Sequence, residues 1–283
     1  MSQKLRDYLR LFPIVSVMGS RQSGKTTFVK SELAGWKYFD LEKQSDYNRI
    51  ASDIEYFLEN YGNNCIIDEA QVLPELFPAL RSYVDRKNKK VKIVLLGSVN
   101  PLLVKNISES LAGRIGFVEL APFTYNEIAG PRGVKIDIEK FWLCGGYPEP
   151  LSWRLQDHLV WTENYIKTFI EKDVLKYYQP SLANNQMHKL LVMLANTHAK
   201  LWNASEIASS FGISYHTVNT YIDILEKHFL VRRLLPYYAN VGKRMVKHNK
   251  IYFRDTGILH SFLGINSIES LRTSPYRGFS FEG

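Results

Sequence analysis

Gly19-Ser20-Arg21-Gln22-Ser23-Gly24-Lys25-Thr26 satisfies Gly-x-x-x-x-Gly-Lys-Ser/Thr, and its flanks decide the fold. Ahead of it runs Ile14 to Met18, short and β-rich; behind it a helix is predicted from about Lys25 to Leu33. A strand, a glycine loop and a helix in that order make a cradle for a polyphosphate. The glycines let the backbone wrap so that its N–H groups point inward, and the helix offers the positive end of its dipole. In such a loop Lys25 reaches the β- and γ-phosphates and the Thr26 hydroxyl ligates Mg²⁺. The expected nucleotide-binding set is therefore Gly19, Ser20, Arg21, Gln22, Ser23, Gly24, Lys25, Thr26 and Thr27, with ATP and Mg²⁺ as the ligands.

Outward from the loop, the first 130 residues alternate strand and helix. Further strands are predicted over Trp36 to Leu41, Cys65 to Ile67, Val91 to Leu96 and Phe117 to Leu120, with helical stretches through Ile54, Phe57 and Leu58 and over Glu75 to Tyr83. Apolar strands separated by helices imply an α/β fold, a parallel sheet covered on both faces. Asp68-Glu69 closes the strand that begins at Cys65, and open α/β sheets bind ligands at the carboxyl ends of their strands. Asp68 is placed to hold Mg²⁺, and Glu69 to act as the general base on the attacking water. The spacing between loop and acidic pair suits phosphate-loop NTPases with an extra strand between the two, a subgroup that uses a glutamate base.

Further catalytic candidates lie beyond the acidic pair. Ser98 and Asn100, in Ser98-Val99-Asn100, follow the fourth strand, where a polar side chain contacts the γ-phosphate or positions water; a helix cap or turn is the plainer role for Ser98. Arg114, in Leu111-Ala112-Gly113-Arg114, offers positive charge to the transferring phosphoryl group, in cis or to a neighbouring subunit; a surface salt bridge is the alternative.

After Pro122 the strand signal fades and helices are expected over Ile138 to Leu143, Leu159 to Tyr178 and Gln186 to Asn196, with Gly145-Gly146-Tyr147-Pro148 between the first two. Ser205 to Phe211, a turn at Gly212 and a helix opening at Ser214 read as a helix-turn-helix, followed by a β pair as a wing. Tyr215, His216, Asn219 and Thr220 are its outward candidates for a major groove, and Arg232 and Arg233 those for phosphate contacts from the wing. Protein docking is the alternative use of such a module. The predicted division is a phosphate-loop core over residues 1–132, a helical lid over 133–200, a winged helix over 201–260 and a tail without clear elements over 261–283.

Composition bounds the rest. With 45 % apolar and 23 % charged residues the chain is neither a disordered tail nor a collagen nor a coiled-coil rod. A formal charge of +8 suits a polyanionic partner, and eight Lys/Arg with no Asp/Glu fall between Lys227 and Arg254. Cys65 and Cys144 are too few for a disulfide framework, which favours a reducing, cytoplasmic setting. No apolar run approaches the ~20 residues of a membrane span, and Met1 to Pro13 has charges among its leucines in place of a signal-peptide core. The histidines and cysteines lack metal-ligand spacing, and no Ser/His/Asp signature is present.

Taken together, these segments resemble the bacterial and archaeal AAA-type ATPases that carry a C-terminal domain of unknown function. The resemblance runs through the phosphate loop to Thr27, Tyr38-Phe39-Asp40-Leu41, Ile67-Asp68-Glu69-Ala70-Gln71, Gly97-Ser98, Leu111 to Arg114, Gly145 to Glu149, and Lys250-Ile251-Tyr252-Phe253-Arg254-Asp255-Thr256-Gly257. It implies an ATPase core, a helical lid, a winged helix and a restriction-endonuclease-like last domain. The sequence stops at Phe281-Glu282-Gly283, where that last domain is expected to start, so no nuclease-like activity is assigned. The resulting expectation is a Mg²⁺-dependent ATPase whose nucleotide state repositions the lid and a basic, DNA-binding winged helix. A nucleotide-gated DNA-binding regulator with negligible hydrolysis, and a signalling or scaffold ATPase whose winged helix binds protein, remain open beside it, as does a homo-oligomer.

Overall fold

Five parallel strands run through the centre of the first unit: β1 (Ile14–Met18), β2 (Lys37–Asp40), β3 (Cys65–Asp68), β4 (Ile93–Gly97) and β5 (Ile115–Glu119), in the order β2-β3-β4-β1-β5. Successive side chains of a strand point to opposite faces, and this sheet buries both. Val15 and Val17 of β1, Ile66 of β3 and Val94 and Leu96 of β4 pack with Leu5, Leu9 and Val29. These come from α1 (Ser2–Leu11) and α2 (Lys25–Glu32). Ile14, Cys65, Ile67, Ile93 and Leu95 face the other way, onto Ile50, Phe57, Leu58, Phe77 and Leu80. Those belong to α3 (Gln44–Ala51), α4 (Ile54–Tyr61) and α5 (Leu76–Arg86). Each such aliphatic or aromatic side chain contributes about 1.5–3 kcal/mol on full burial, which is why β3 and β4 read as apolar runs.

The computed structural model describes residues 1–97, 110–129, 136–169, 184–236 and 249–282. It divides into two units, Met1–Ala121 and Pro122–Gly283. Strand ends differ from expectation by up to two residues. The helix α1 was not foreseen: its leucines are spaced at i and i+4, with Leu5 and Leu9 buried among charged neighbours. The sheet has the expected extra strand between the loop strand and the acidic strand, in space and not in sequence. The strand between the motifs in sequence, β2, lies at the sheet edge; β4, which follows both motifs, separates β1 from β3 in space.

Among its described residues the second unit is helical apart from an antiparallel pair, β6 (Val231–Leu234) and β7 (Lys250–Phe253), in which Val231 faces Phe253. Its helices are α6 (Tyr125–Ile128), α7 (Ile138–Cys144), α8 (Leu155–Thr168), α9 (Asn184–Asn196), α10 (Ala204–Phe211) and α11 (Tyr215–Lys227). After the strand pair come α12 (Thr256–Phe262), α13 (Ile268–Thr273) and α14 (Arg277–Glu282). Between α10 and α11 the chain turns at Gly212, and the Ser214 hydroxyl accepts from the Thr217 amide to cap α11. Ile207, Ala208, Val218, Ile222 and Leu225 share a core with Val231, Ile251 and Phe253.

The described residues after 263 carry helices, against expectation. Their helices of six residues are too short to print a periodicity, yet they are tied down. Trp142 Nε1 donates to Ser280 Oγ at 3.0 Å, and His260 bridges Ser280 Oγ (2.6 Å) and the Leu143 carbonyl (3.0 Å). Two glycine segments also meet. Asp255 accepts from the Gly146 amide at 2.8 Å and caps α12 through the Ile258 amide. Gly145 stands at φ +77°, and a Cβ there would lie 2.2 Å from the Asp255 carboxylate. Only glycine fits that approach.

Candidate functional site

The loop after β1 is built around its glycines. A Cβ on Gly19 would fall 2.1 Å from the Leu120 carbonyl oxygen. Gly24, at φ 88°, turns the backbone through the left-handed region into α2, and Gln22 also has positive φ, 59°. Inside the bend Lys25 is buried, its Nζ donating to the carbonyls of Gly19 (3.1 Å) and Ser20 (2.8 Å). The hydroxyls of Ser20 and Ser23 are buried and have no hydrogen-bond partner. Buried polar groups are rarely left so, and orphaned hydroxyls beside a helix N-terminus are suited to phosphate oxygens. Arg21 is half-buried, and Gln22 and Thr27 are exposed on the outer side of the turn.

The acidic pair reaches this loop. Strands two apart in a sheet lie about 10 Å from each other, and the first turn of α2 closes that gap: Thr26 Oγ1 donates to Asp68 Oδ2 at 2.7 Å. The same carboxylate oxygen accepts from the Tyr38 hydroxyl at 2.8 Å, and Oδ1 accepts from the Glu69 amide at 3.0 Å. Tyr38 is held well above the ordinary phenol range by burial and by this bond to Asp68, so it stays a donor. The Lys30 ammonium sits 3.3 Å from the Tyr38 ring centroid.

A hydroxyl and a carboxylate in contact are hard oxygen donors, and Mg²⁺ is held by one or two carboxylates together with substrate phosphates rather than by a full protein cage. Thr26 and Asp68 therefore fit that ion. Among the described residues no group of three or more His, Cys, Asp or Glu gathers into another metal site.

Glu69 has left-handed backbone, φ 50° and ψ 42°, and a 3₁₀ turn over Ala70–Val72 follows it. A non-glycine residue held there is strained, a condition that concentrates at functional sites. Burial pushes its carboxyl up from the usual range, while the amide of Gln71, donating through Nε2 to Glu69 Oε2, opposes the rise. Gln71 Oε1 is buried and accepts nothing.

Other sequence candidates separate from this cluster. Ser98 and Asn100 lie outside the described residues. Arg114 is at the wrong end of the sheet for the expected cis contact. Its carbonyl accepts from the Ile14 amide, where β1 begins, so the length of β1 stands between it and the loop. Its guanidinium forks onto Asp85, Nε to Oδ1 at 2.7 Å and Nη2 to Oδ2 at 2.8 Å, which is the salt-bridge alternative. Tyr38 and Gln71 were missed, although both lie in segments that carried the family resemblance.

In the second unit, Tyr215, His216 and Arg232 are exposed, the Tyr215 and His216 rings tilted at 35° with centroids 3.9 Å apart. Thr220 is exposed with its hydroxyl donating to the His216 carbonyl. Two expectations are corrected. Asn219 is half-buried, its Oδ1 accepting from Trp202 Nε1 at 3.4 Å. Arg233 is half-buried between Glu226 (2.8 Å) and Asp223, which neutralise it. Of the basic cluster, Lys243, Arg244 and Lys247 lie outside the described residues, and Lys250 pairs with Glu282 at 2.7 Å.

Residues 11–129 match the profile of a family described as an AAA domain, and residues 135–269 one described as a domain of unknown function (DUF8612). The chain is 38 % identical over 285 aligned positions to uncharacterized proteins of Mycobacterium tuberculosis and Mycobacterium bovis, covering 99 % of this chain. It spans 63 % of the length of those relatives. In fold it is similar to a Walker-type ATPase of Pyrococcus abyssi, with a TM-score of 0.63 at 18 % identity over 93 % of this chain and 94 % of that one.

Proposed function

From the premise that residues 11–129 form an AAA-type phosphate-loop ATPase domain, we propose that this protein binds ATP in the bend from Gly19 to Thr27 and hydrolyses it with Glu69 as general base. The observation that carries the reading is the 2.7 Å bond from Thr26 to Asp68, which joins the second motif to the loop across an intervening strand. Lys25 brings its charge to the β- and γ-phosphates, and the Ser20 and Ser23 hydroxyls gain the acceptors they lack. Thr26 and Asp68 would hold Mg²⁺, which supplies positive charge to the phosphate oxygens. Tyr38 keeps the Asp68 carboxylate in place through its hydroxyl. Glu69, buried enough to hold a proton more readily than an ordinary glutamate, takes one from the attacking water. A steady-state ATPase assay tests this: Mg²⁺-dependent phosphate release is expected, and its absence sinks the assignment.

The second part of the proposal concerns the C-terminal unit. The helix pair α10–α11 with the β6–β7 ribbon acts as a winged helix, coupled to nucleotide state, whose partner is duplex DNA. The net charge of +8 and the exposed Tyr215, His216 and Arg232 support it. Duplex binding that falls steeply with salt, through counterion release, is the expected result. A failure to bind duplex at low salt shifts the partner to protein and the role to signalling or scaffolding. Turnover negligible with and without DNA, beside tight ATP binding, instead favours a nucleotide-gated regulator. The thiols of Cys65 and Cys144 are buried and free, which suits a reducing, cytoplasmic setting. No described helix is long and apolar enough to cross a membrane.

A further inference from the structure

The carboxamide of Gln71 has one committed end and one uncommitted end, and both lie at the candidate base. A carboxylate only accepts hydrogen bonds, so the group facing Glu69 Oε2 must be the amide nitrogen. That leaves Oε1, an acceptor with two lone pairs, buried and with nothing donating to it. The backbone explains the approach. Glu69 in the left-handed region, followed directly by the 3₁₀ turn, folds the residue two positions on back over the Glu69 side chain. The arrangement is local, two residues apart, and does not tie distant segments together.

Resting on the ATPase reading above, we propose that Gln71 is a second catalytic group for hydrolysis: its N–H holds Glu69 in position, and its Oε1 shares the attacking water with the Glu69 carboxylate. Water has two hydrogens, and two acceptors side by side fix both, which leaves an oxygen lone pair for phosphorus. As the water oxygen bonds to the γ-phosphorus, the bond from phosphorus to the β–γ bridging oxygen breaks and its electron pair leaves with ADP. One proton passes to Glu69. The other stays on the new phosphate hydroxyl, hydrogen-bonded to Gln71 Oε1. A group with this role stabilises the transition state and leaves ground-state nucleotide binding alone.

The test is Gln71→Met, which keeps the length of the side chain and removes both polar atoms, with Gln71→Ala as a second variant should the first misfold. In either, kcat is expected to fall at least tenfold while KM and the affinity for a slowly hydrolysed ATP analogue stay within twofold. Affinity for ADP with aluminium fluoride, which mimics the planar phosphoryl group with its apical water, is expected to fall at least tenfold, and affinity for ADP alone to hold. Normal kcat and normal fluoride-complex affinity in the variants, with Glu69→Gln inactive, overturns the role of Gln71 and leaves the ATPase reading standing. A wild-type chain with no turnover overturns both.

Discussion

The two units differ in where their buried oxygens find partners. In the first, the described hydroxyl and amide oxygens left without partners, those of Ser20, Ser23 and Gln71, all belong to the two segments that follow β1 and β3 at their carboxyl ends. In the second, His198 Nε2 is also buried without a partner, but Asp255, His260 and Tyr147 fasten segments apart in sequence, to Gly146, to Leu143 and Ser280, and to Tyr165. Satisfied groups record how a fold is held together. Unsatisfied oxygens, all beyond the carboxyl ends of strands in one sheet, mark a place prepared for something else.

The strongest attempt to break that distinction is Glu69→Gln. If the first unit's cluster is catalytic, turnover falls about 10²–10⁴-fold, the usual size of a general-base contribution, while ATP affinity, measured by isothermal titration, is retained. Equal turnover in the variant would make the cluster a fastening like those of the second unit.

Gly145→Ala probes the other side. The added methyl meets both a left-handed backbone, φ +77°, and the Asp255 carboxylate at 2.2 Å. The backbone alone costs about 1–2 kcal/mol, and displacing a buried, hydrogen-bonded carboxylate adds to it by about 1–3 kcal/mol. Urea denaturation followed by Trp fluorescence should show an earlier transition, with ATP affinity unchanged because every loop contact described lies in the first unit. An unaltered midpoint would show that the Asp255 fastening is dispensable.

How much of this was legible beforehand follows the same division. The loop, Asp68 and Glu69 were readable because phosphate and metal chemistry dictates residue types at short, fixed spacings. Tyr38 and Gln71 were not, because their bonds come from strand register and from one left-handed residue, neither of which leaves a spacing. On α11, helical period correctly put Tyr215 and His216 outside, but it is blind to partners. Trp202 holding Asn219, and Glu226 with Asp223 holding Arg233, follow only from packing. The caps Asp255 and Ser267 were visible as residue types, yet the helices they start are shorter than two turns and carry no periodic signal.

Acid should separate the units next. Burial pushes His158, His198 and His260 down to about 4, and Asp255 up to about 6. A histidine lowered on folding gives stability that is complete above pH 6.5 and lost as pH falls towards 4, about 3 kcal/mol each. Asp255 works the other way, its burial cost present above pH 6 and relieved by about 3 kcal/mol as pH falls to 3.8. Three against one leaves a net loss of about 6 kcal/mol between pH 7 and 4, comparable with the whole stability of a domain. All seven histidines lie beyond residue 121, so melting on acidification should begin in the second unit. Asp255→Asn removes the offset and steepens the loss; a pH-independent melting profile would contradict the neutral, buried histidines.

The smallest effect is expected at Arg114, the arginine that spacing nominated for phosphoryl transfer. A residue contacting the transferring group in cis must reach the carboxyl end of β1, and Arg114 is anchored at the opposite end by its carbonyl on the Ile14 amide. Its charge is already spent: the fork onto Asp85 holds that carboxyl below the usual range, and Asp85 in turn raises the guanidinium. Asp85 is exposed and Arg114 half-buried at the surface, where such pairs contribute little even with good geometry. Arg114→Ala should therefore leave monomer turnover within twofold of wild type and shift the urea midpoint barely at all, measured at a protein concentration low enough to exclude self-association. Turnover that fell 10³-fold or more, the scale of a lost arginine finger, at high but not at low protein concentration would place Arg114 in the site of a second copy. In that case the boundary between fastening and catalysis would run across subunits instead of between the two halves of one chain.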